Sequence, residues 1–482
     1  MPPFDLIIVG AGSAGMMCAI AAAEAGKSVL VIEKDVLVGG TLHVTAGHLS
    51  AGGTRRQKAK GITDSWKKHY KDVLRISNNT ADKDLARLAT RLAPDLVDWL
   101  EDHGYPFFEP TPVIIHGHEP YSTPRTYWGS DDTRSEDVLT HKGKSVFQVI
   151  KPIWDDFVAK GLIKVHLSCK MTGLIRPKKR VLGVRATLQN GEKMEFFAPK
   201  TVLTTGGYAA NSDFFKQVTE GNPRLISTAR KTSMGEGITA AREIGAAFRG
   251  ADLHVSTLGG IEFEPNSGRA DFWKAFTRTS NAVDRLPREM YVNENGVRFI
   301  NEDERSVDKR ERAVLEQPNR RFWLIFDKNA LENEGLSVVA FWNLDDIENA
   351  ATEEKAVWQA DTIENLAKKI KLDPSVLGQT VGHFNDFTDK KHDPDFGRQY
   401  LEHPILQPPF YAILTYAYSL ISFGGVHVDK HLRVVDTEGV AIAGLYAAGE
   451  ITGAAATSGN AFCGGMLLTP ALAFGQYLGK KL

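Results

Sequence analysis

The sequence of 482 residues predicts an α/β fold in which a parallel-sheet domain is interrupted by a second, α+β domain. The chain opens with a short apolar run, Phe4–Val9, followed at once by the glycine-rich turn GAGSAG. Glycine-rich apolar segments return at Thr201–Asn211 and again beyond Tyr411, whereas the stretch between them from about Ala247 has few glycines and high charge. We therefore expect the first domain to span residues 1–247 and 400–482, and the inserted capping domain to span residues 248–399.

The first domain is expected to begin as strand, turn, helix and strand. A short apolar run such as Phe4–Val9 is typical of a strand buried on both faces of a parallel sheet. The small-residue segment MMCAIAAAEAG predicts a helix that lies close to the sheet and ends at Gly26. Ser28–Ile32 predicts the second strand, with Glu33 at its end.

Two later stretches have their own periodicity. Residues 64–103 have the apolar spacing of amphipathic helices, which we expect on the surface. Lys164–Leu203 alternates apolar and polar residues around turns such as Gln189-Asn190-Gly191. This alternation predicts antiparallel strands attached to the first domain.

The composition narrows the class of protein. The apolar fraction of 42% and the charged fraction of 24% are ordinary for a globular enzyme, and 58 basic residues balance 59 acidic ones, which indicates no nucleic-acid or membrane-surface partner. Cys18, Cys169 and Cys463 are far apart, which argues against a disulfide scaffold, an iron–sulfur cluster, a zinc site or a c-type haem, so we expect no metal and a separate electron partner. Because a strand begins almost at once, we expect no cleaved leader, no membrane span and a cytoplasmic location.

The opening glycines predict a dinucleotide site. Gly10, Gly12 and Gly15 together permit a tight turn, a close backbone approach to a pyrophosphate, and close helix–strand packing. The start of the following helix offers N–H groups and a positive dipole end to phosphates. Glu33 is placed to accept hydrogen bonds from ribose hydroxyls, which favours FAD or NAD over a 2′-phosphorylated nucleotide. The alternative, a tight turn without a nucleotide, is disfavoured by the strand, helix and acid around it.

Three further segments select FAD. GLYAAGEITG (Gly444–Gly453), with Glu450 near its tip, resembles the second FAD contact of the glutathione-reductase-like and fumarate-reductase-like flavoproteins. TTGGYAAN resembles the third glycine strand of these proteins, and GGTLHVTAGHLSAGGT (Gly39–Thr54) resembles their loop around the pyrophosphate and isoalloxazine. The resemblance covers nearly the whole chain and implies a Rossmann-like FAD-binding domain of the glutathione-reductase/fumarate-reductase flavoprotein type. The residues that it implies as FAD contacts are Gly10, Gly12, Ser13, Ala14, Gly15, Glu33, Lys34, Gly40, Thr41, Ala46, Gly47, Gly206, Gly207, Gly449, Glu450, Met466 and Leu467.

The attachment of the flavin is a separate question. Succinate dehydrogenases that resemble this chain carry a histidine in the same loop that is joined covalently to the flavin. The corresponding position reads Thr41 here, with His43 two residues further on. We therefore expect non-covalent FAD, and ordinary loop roles for His43 and His48.

Two segments point to the reaction. Met290–Glu304 resembles the cap signature of the fumarate reductase and 3-ketosteroid dehydrogenase superfamily, and Ser233–Ala246 resembles its approach to the cap. The fumarate branch holds two carboxylates with histidines and arginines. Where that branch has two histidines the chain reads Leu420-Ile421-Ser422-Phe423, and where it has an arginine the chain reads Asn460–Gly465. Its proton-delivering arginine would fall near Ala330 or Leu331, so fumarate is disfavoured.

The closing segment instead resembles the ketosteroid dehydrogenases. In them a backbone N–H of the glycine turn binds the ketone oxygen, a role that falls to Gly465 in CGGMLLTPALAFG. The tyrosine of that turn aligns with Ala461 and is missing. Another hydroxyl would have to assist, and the segment before the flavin supplies Tyr411, Tyr416, Tyr418 and Ser422; of these we expect Tyr416, Tyr418 and Ser422 to be catalytic.

The loop His118–Gly129 is a candidate wall of the substrate site. Tyr121 is expected there as a substrate contact and Tyr127 as a catalytic residue, and Arg125 is suited to clamp a carboxylate in a bidentate way. Phe462 and Arg305 are the other candidate contacts. The structural alternative is that the arginines form salt bridges and that the aromatic rings belong to the core.

We therefore predict an FAD-dependent dehydrogenase that oxidises a cyclic ketone to its α,β-unsaturated ketone. The substrate class includes 4-oxocyclohexanecarboxylate and 3-ketosteroids, and the resemblance implies α-proton abstraction, β-hydride transfer to flavin N5 and an external electron acceptor. The first alternative is a fumarate-reductase-like enoate reductase, which runs the chemistry backwards. An alternative from another class is a flavin-binding protein with no substrate of its own.

Overall fold

The computed structural model describes residues 4–115, 119–130, 144–219, 226–270, 277, 279, 285–331 and 337–482. The helices are α1 Ser13–Glu24, α2 Arg55–Ala59, α3 Trp66–Ile76, α4 Lys83–Asp102, α5 Lys144–Ala159, α6 Ser212–Val218, α7 Glu236–Glu243, α8 Val307–Leu315, α9 Leu344–Thr352, α10 Ile363–Lys369, α11 Pro374–Lys390, α12 Ala455–Ser458 and α13 Leu468–Lys481. The strands are β1 Leu6–Val9, β2 Val29–Ile32, β3 Leu49–Ser50, β4 Thr126–Tyr127, β5 Ile163–His166, β6 Cys169–Ile175, β7 Gly183–Leu188, β8 Lys193–Phe197, β9 Thr201–Leu203, β10 Ile226–Ser227, β11 Phe248–Arg249, β12 Thr257–Gly260, β13 Met290–Val292, β14 Arg321–Asp327, β15 Val357–Ala360, β16 Phe410–Ser419, β17 Gly425–Val426, β18 Arg433–Val435 and β19 Ala441–Ala447.

The first sheet has the strand order β18-β19-β9-β1-β2-β5. Strands β1, β2, β5, β9 and β19 run parallel to their neighbours, and β18 is antiparallel at the edge. Because β9 and β19 lie beside β1, the N-terminal and C-terminal parts of the chain contribute strands to one sheet, and the Rossmann-like α/β fold class is confirmed. It also brings the glycine-rich segments after β1, β9 and β19 to one edge of the sheet.

Small residues let two helices pack tightly against this sheet. Nearly all of α1 is buried, and α13 lies against it. An added Cβ at Gly475 would stand 2.2 Å from the carbonyl oxygen of Ala14, and one at Gly479 would stand 2.3 Å from that of Cys18. The expected small-residue helix is therefore confirmed, and its contact is with the C-terminal helix as well as with the sheet.

Most of the other expected elements are present, but β5 and β9, at the two ends of Lys164–Leu203, run parallel in the first sheet and not antiparallel. Helices α3 and α4 fall within residues 64–103, and β6, β7 and β8 form an antiparallel three-stranded sheet with the Asn190-Gly191 turn between β7 and β8. The three cysteines are buried and free. Among the described helices, none is both long enough and apolar enough to cross a membrane.

A second sheet belongs to the capping part of the chain. Its order is β10-β16-β14-β13, and β12 and β15 also pair with β16. The sheet takes strands from Ile226 to Ser419, beyond both limits of the segment 248–399, which stay a prediction. Tyr416 and Tyr418 therefore lie on the central strand of the capping sheet.

Candidate functional site

The turn after β1 forms a cradle in the shape that a pyrophosphate requires. An added Cβ at Gly15 would stand 1.9 Å from the carbonyl oxygen of Gly10, so the helix approaches the turn as closely as only glycine allows. Around Gly12 the space is open to 4 Å, and no side chain caps the start of α1 at Ser13. The first N–H groups of α1 are thus left to a ligand, which fits an anion at the helix N-terminus.

Glu33 is held above this cradle at the end of β2. Its Oε2 accepts the N–H of Ala11 at 2.7 Å, and its Oε1 accepts the N–H of Asp35 at 2.8 Å. Each carboxylate oxygen has a second lone pair, so the carboxylate can still accept ribose hydroxyls. Residues from both sides line the same cleft, among them Gly10, Gly12, Ser13, Ala14, Glu33, Lys34, Gly40, Thr41, Gly206, Gly449 and Glu450.

Two basic residues of the cleft are held by acids. Lys34 Nζ pairs with Glu236 at 2.8 Å, so its charge is neutralised at the mouth of the cleft. Arg230, which no sequence motif indicated, lines the cleft, donates to Asp35 at 2.6 Å and donates to the Gly40 carbonyl at 2.9 Å. Arg230 thus ties the end of β2 to the loop that wraps the cofactor.

The wrapping loop leaves Thr41 in the cleft and turns His43 away. Residues Gly40–His43 form a 3₁₀ turn in which the His43 ring hydrogen bonds to the Val38 carbonyl at 2.8 Å and packs against Phe147 at 4.8 Å. Further along the loop, the N–H of Gly47, which follows Ala46, donates to Thr45 at 3.2 Å. This geometry suits non-covalent FAD, which stays a prediction.

Glu450 and the glycine segment after β9, which we call the Gly206 strip, both contact Ser422. The Ser422 N–H donates to Glu450 Oε1 at 2.9 Å, and the Ser422 hydroxyl accepts the N–H of Tyr208 at 2.6 Å. A Cβ at Gly207 would stand 2.4 Å from Glu450 Oε1, which explains why this strip carries glycine. Burial raises the pKa of the Glu450 carboxyl. The assignment of Ser422 to the ketone needs correcting, because its buried hydroxyl is engaged in holding this strip together.

The glycine turn before α13 leaves backbone donors unused. The Gly464 carbonyl accepts the Tyr121 hydroxyl at 2.6 Å, and the Asn460 carbonyl accepts Arg312 of α8 at 2.7 Å. The N–H groups of Gly464, Gly465 and Leu467 donate to no acceptor among the described residues. Met466 is held through its carbonyl, which accepts the Thr457 hydroxyl at 3.0 Å. The turn therefore leaves these N–H groups available to a ligand, and the roles expected of Gly465 and Leu467 stay predictions.

The candidate wall His118–Gly129 requires correction, and His118 lies outside the described residues. The Arg125 guanidinium is 0% exposed, with bidentate contacts of 2.9 Å to Asp64 and a contact of 2.7 Å to Asp72. It is thus a buried structural ion and not a clamp for substrate. Tyr127 is buried with its hydroxyl 2.7 Å from Thr54, and burial raises its pKa.

The remaining predicted residues are scattered. The Tyr121 hydroxyl is engaged by Gly464, and burial raises its pKa well above the usual value. Tyr418 is buried in the capping sheet, where burial and the nearby Glu311 carboxyl raise its pKa well above the usual value, so it is unsuited to act as the base. Tyr416 lies beside Arg321, whose guanidinium is 5.9 Å from its ring, and Arg305 is exposed on the surface.

An apolar cluster, which we call the Phe423 cluster, begins at the residue that follows Ser422. Its rings Phe423 and Phe462 meet edge to face at 5.4 Å. The members of the cluster are Leu253, Val255, Ile421, Phe423, Ala454, Ala455, Phe462 and Leu467. Phe462 thus lies among apolar residues from the capping segment and from the segment after β19, and its contact with substrate stays a prediction.

One residue that the sequence did not single out, His254, lies at the edge of the Phe423 cluster. His254 packs against Phe423 at 5.4 Å and against Phe215 at 4.9 Å, and both of its ring nitrogens are buried without a hydrogen-bond partner among the described residues. Burial and the charge of Arg320 lower the pKa of His254 to about 3. His254 belongs to no sequence motif, and only the folded chain places it beside the cluster.

The glycine cradle after β1, the Glu33 carboxylate and the glycine-rich segments after β9 and β19 together define a dinucleotide-binding flavoprotein. The chain belongs to the family described as FAD binding domain, which matches residues 5–467, and FAD is its cofactor.

The chain is also similar to individual enzymes, both reductases and dehydrogenases. The chain is 27% identical over 480 residues to a fumarate reductase (cytochrome) of Shewanella frigidimarina, covering 99% of this chain and 76% of that protein. It is 24% identical over 561 residues to 4-oxocyclohexanecarboxylate 2-dehydrogenase of Sinomonas cyclohexanicum, covering 99% and 92%. The solved 3-ketosteroid Δ1-dehydrogenase of Sterolibacterium denitrificans shares the fold, with a TM-score of 0.79, 22% identity and 99% of each chain covered. The chain is therefore an FAD-dependent oxidoreductase.

Proposed function

We propose that this oxidoreductase acts on a CH–CH bond next to a carbonyl group, and that it oxidises a cyclic ketone such as 4-oxocyclohexanecarboxylate or a 3-ketosteroid to the α,β-unsaturated ketone. The observation that carries the proposal is the Phe423 cluster, which lies beside Ser422 and therefore next to the segment expected to hold the flavin. An apolar wall favours a hydrocarbon ring over a small dicarboxylate, because burying a carboxylate without a partner is costly. The relative named 4-oxocyclohexanecarboxylate 2-dehydrogenase, matched over 99% of this chain, supports the same class of substrate.

Backbone donors of the glycine turn are the chain's own means of activating a ketone. The unused N–H groups of Gly464 and Gly465 are suited to hydrogen bond the carbonyl oxygen, which stabilises negative charge as an α proton leaves. The Phe423 cluster keeps water away from the ring and strengthens these hydrogen bonds. Bound FAD supplies the two-electron acceptor, and an external acceptor is needed to restore it.

Reduction of an enone or enoate is the second candidate. The relative named fumarate reductase supports this direction.

Steady-state assays with both half-reactions test the proposal. Holoenzyme is incubated with 4-oxocyclohexanecarboxylate, a 3-ketosteroid or succinate and an artificial electron acceptor, and products are identified by mass and by enone absorbance. We expect a product two mass units lighter from a cyclic ketone and none from succinate. Turnover of succinate alone, or turnover only of enoates with a reduced dye, would contradict the dehydrogenase proposal.

A further inference from the structure

Two adjacent glycines give the turn before α13 a peptide group that the backbone alone does not fix. Gly464 is buried, Gly465 is half-buried and the peptide bond between them is trans, so the Gly464 carbonyl oxygen and the Gly465 N–H point in opposite directions. Gly465 has a φ of +76°, and glycine adopts positive and negative φ about equally well. Another group must therefore determine which way the Gly465 N–H, the proposed donor to the ketone, points.

The Tyr121 hydroxyl determines this direction. It donates to the Gly464 carbonyl oxygen at 2.6 Å, and both groups are buried. Rotation of the peptide group would take the carbonyl oxygen away from this donor and leave a buried acceptor unpaired. The bond thus holds the carbonyl inward, and the Gly465 N–H, which has no acceptor among the described residues, points the other way.

Tyr121 is itself held in place by its surroundings. The Arg125 guanidinium lies 5.2 Å from the centre of its ring, and the His69 ring meets it edge to face at 5.3 Å. The next residue, Ser122, donates to Asp72 through its N–H at 2.7 Å and through its hydroxyl at 2.6 Å. Asp72 also accepts a hydrogen bond from Arg125 at 2.7 Å. The buried ion pair therefore supports both the ring and the backbone of the tyrosine that holds the turn.

The other unused donors of the turn are arranged in the same way. The N–H of Leu467 lies opposite the Met466 carbonyl, which accepts the buried Thr457 hydroxyl at 3.0 Å. The N–H of Gly464 lies opposite the Cys463 carbonyl, which accepts the Met466 N–H at 3.0 Å. Each N–H of the turn that has no acceptor in the described part of the chain thus lies opposite an anchored carbonyl.

We infer that Tyr121 is a positioning residue for the proposed reaction: its hydroxyl holds the Gly464 carbonyl and so orients the Gly465 N–H toward the ketone oxygen of the substrate. The inference rests on the proposed function and gives Tyr121 no acid or base step. Negative charge develops on the ketone oxygen as an α proton leaves, and a donor that is already in place stabilises this charge without reorganisation. Without the hydroxyl, the peptide group between two glycines can rotate and misdirect the donor.

Binding of an unreactive oxyanion to the holoenzyme tests the orientation without turnover. The probe is 4-cyanophenolate, whose charged oxygen resembles that of an enolate, and benzonitrile is the neutral comparison. Both are titrated by calorimetry and by the change in the visible flavin band. Tyr121→Phe is expected to weaken binding of the phenolate about 5- to 20-fold and that of benzonitrile by less than about twofold, because only the phenolate accepts the oriented N–H.

Steady-state turnover of a cyclic ketone supplies the second measurement. A donor that acts on the charge of the transition state affects kcat and not the binding of the ketone. Tyr121→Phe should therefore lower kcat about 10- to 100-fold and change KM by less than about threefold. An increase in KM with an unchanged kcat would show that the hydroxyl only shapes the binding wall, and would overturn the inference.

Two further variants complete the test. Tyr400→Phe is the matched control, because it removes the same hydroxyl from a half-buried tyrosine whose partner is the His403 ring at 3.0 Å, and it should leave both probes unaffected. Ser122→Ala keeps the Tyr121 hydroxyl but removes one of the bonds that tie this segment to Asp72. It should weaken the phenolate about 2- to 5-fold, and it serves in place of Tyr121→Phe if that variant does not fold.

The inference is overturned if Tyr121→Phe binds the phenolate as tightly as the wild type does, or if phenolate and benzonitrile weaken equally. It is also overturned if the wild type shows no preference for the phenolate, or if Tyr400→Phe causes the same loss. A wild-type enzyme whose preference for the phenolate depends on Tyr121 but which oxidises no ketone would contradict the proposed function alone.

Discussion

Replacing Gly12 by alanine separates cofactor binding from folding. Gly12 has φ −79° and ψ −167°, which alanine adopts freely, and an added Cβ meets nothing within 4 Å. The folded apoprotein should therefore tolerate the methyl group, with a change in the free energy of unfolding within about 1 kcal/mol. The open space is where a pyrophosphate approaches the backbone, so the same methyl group obstructs the ligand.

The expected loss of affinity follows from the hydrogen bonds at the start of α1. Hydrogen bonds to charged groups contribute about 1.5–3 kcal/mol each, so displacing the pyrophosphate from one or two N–H groups costs about 3 kcal/mol. That corresponds to a dissociation constant for FAD about 100-fold higher. The assay is titration of FAD into deflavinated protein, followed by quenching of flavin fluorescence, with thermal unfolding of the apoprotein in parallel.

Gly15→Ala is the contrasting variant. Its Cβ would stand 1.9 Å from the Gly10 carbonyl oxygen, so α1 must move and the apoprotein itself should lose about 1–3 kcal/mol. Unchanged FAD affinity in Gly12→Ala, or an apoprotein as damaged as that of Gly15→Ala, would refute the reasoning.

Three further predictions concern buried groups. Arg125→Met leaves the buried Asp64 without its cation, and Asp72 with Arg75 alone, and should lower the free energy of unfolding by about 3–5 kcal/mol in urea titrations, whereas a loss below about 1 kcal/mol would show that the buried ion pair is dispensable. Tyr418→Phe should change turnover by less than about threefold in steady-state assays, because its hydroxyl is buried in the capping sheet, and a 100-fold loss would restore it as the base. Burial and the charge of Arg125 lower the pKa of His69 to about 3, while the unfolded chain binds that proton below about pH 6.5, so stability should fall by up to about 1.4 kcal/mol per pH unit from pH 6.5 down to 3. Urea unfolding of His69→Gln at pH 7 and pH 5 should show a weaker dependence than the wild type, and an identical one would contradict the assignment.

The cofactor half of the molecule could be predicted because its constraints are local. Gly15, Gly207 and Glu33 each satisfy a requirement of one turn or strand end, and a turn leaves its pattern in neighbouring residues. The return of the chain to the same sheet could be predicted for the same reason, since each glycine strip follows a strand.

The substrate half depends on partners that are distant in sequence. Arg125 was expected to face substrate, but Asp64 and Asp72, more than fifty residues away, take up its hydrogen bonds. Arg320 is the opposite case, because no carboxylate lies within ion-pair distance of it among the described residues. Neither a pairing across the fold nor the lack of one produces a sequence pattern.

The most direct test of the account is an anaerobic titration of the purified yellow holoenzyme with cyclic ketones, following the visible flavin band. We expect 4-oxocyclohexanecarboxylate or a 3-ketosteroid to bleach the band and succinate to leave it unchanged. An intact band with every ketone, together with reoxidation of the chemically reduced flavin by enoates, would contradict the dehydrogenase proposal and establish the reductase direction.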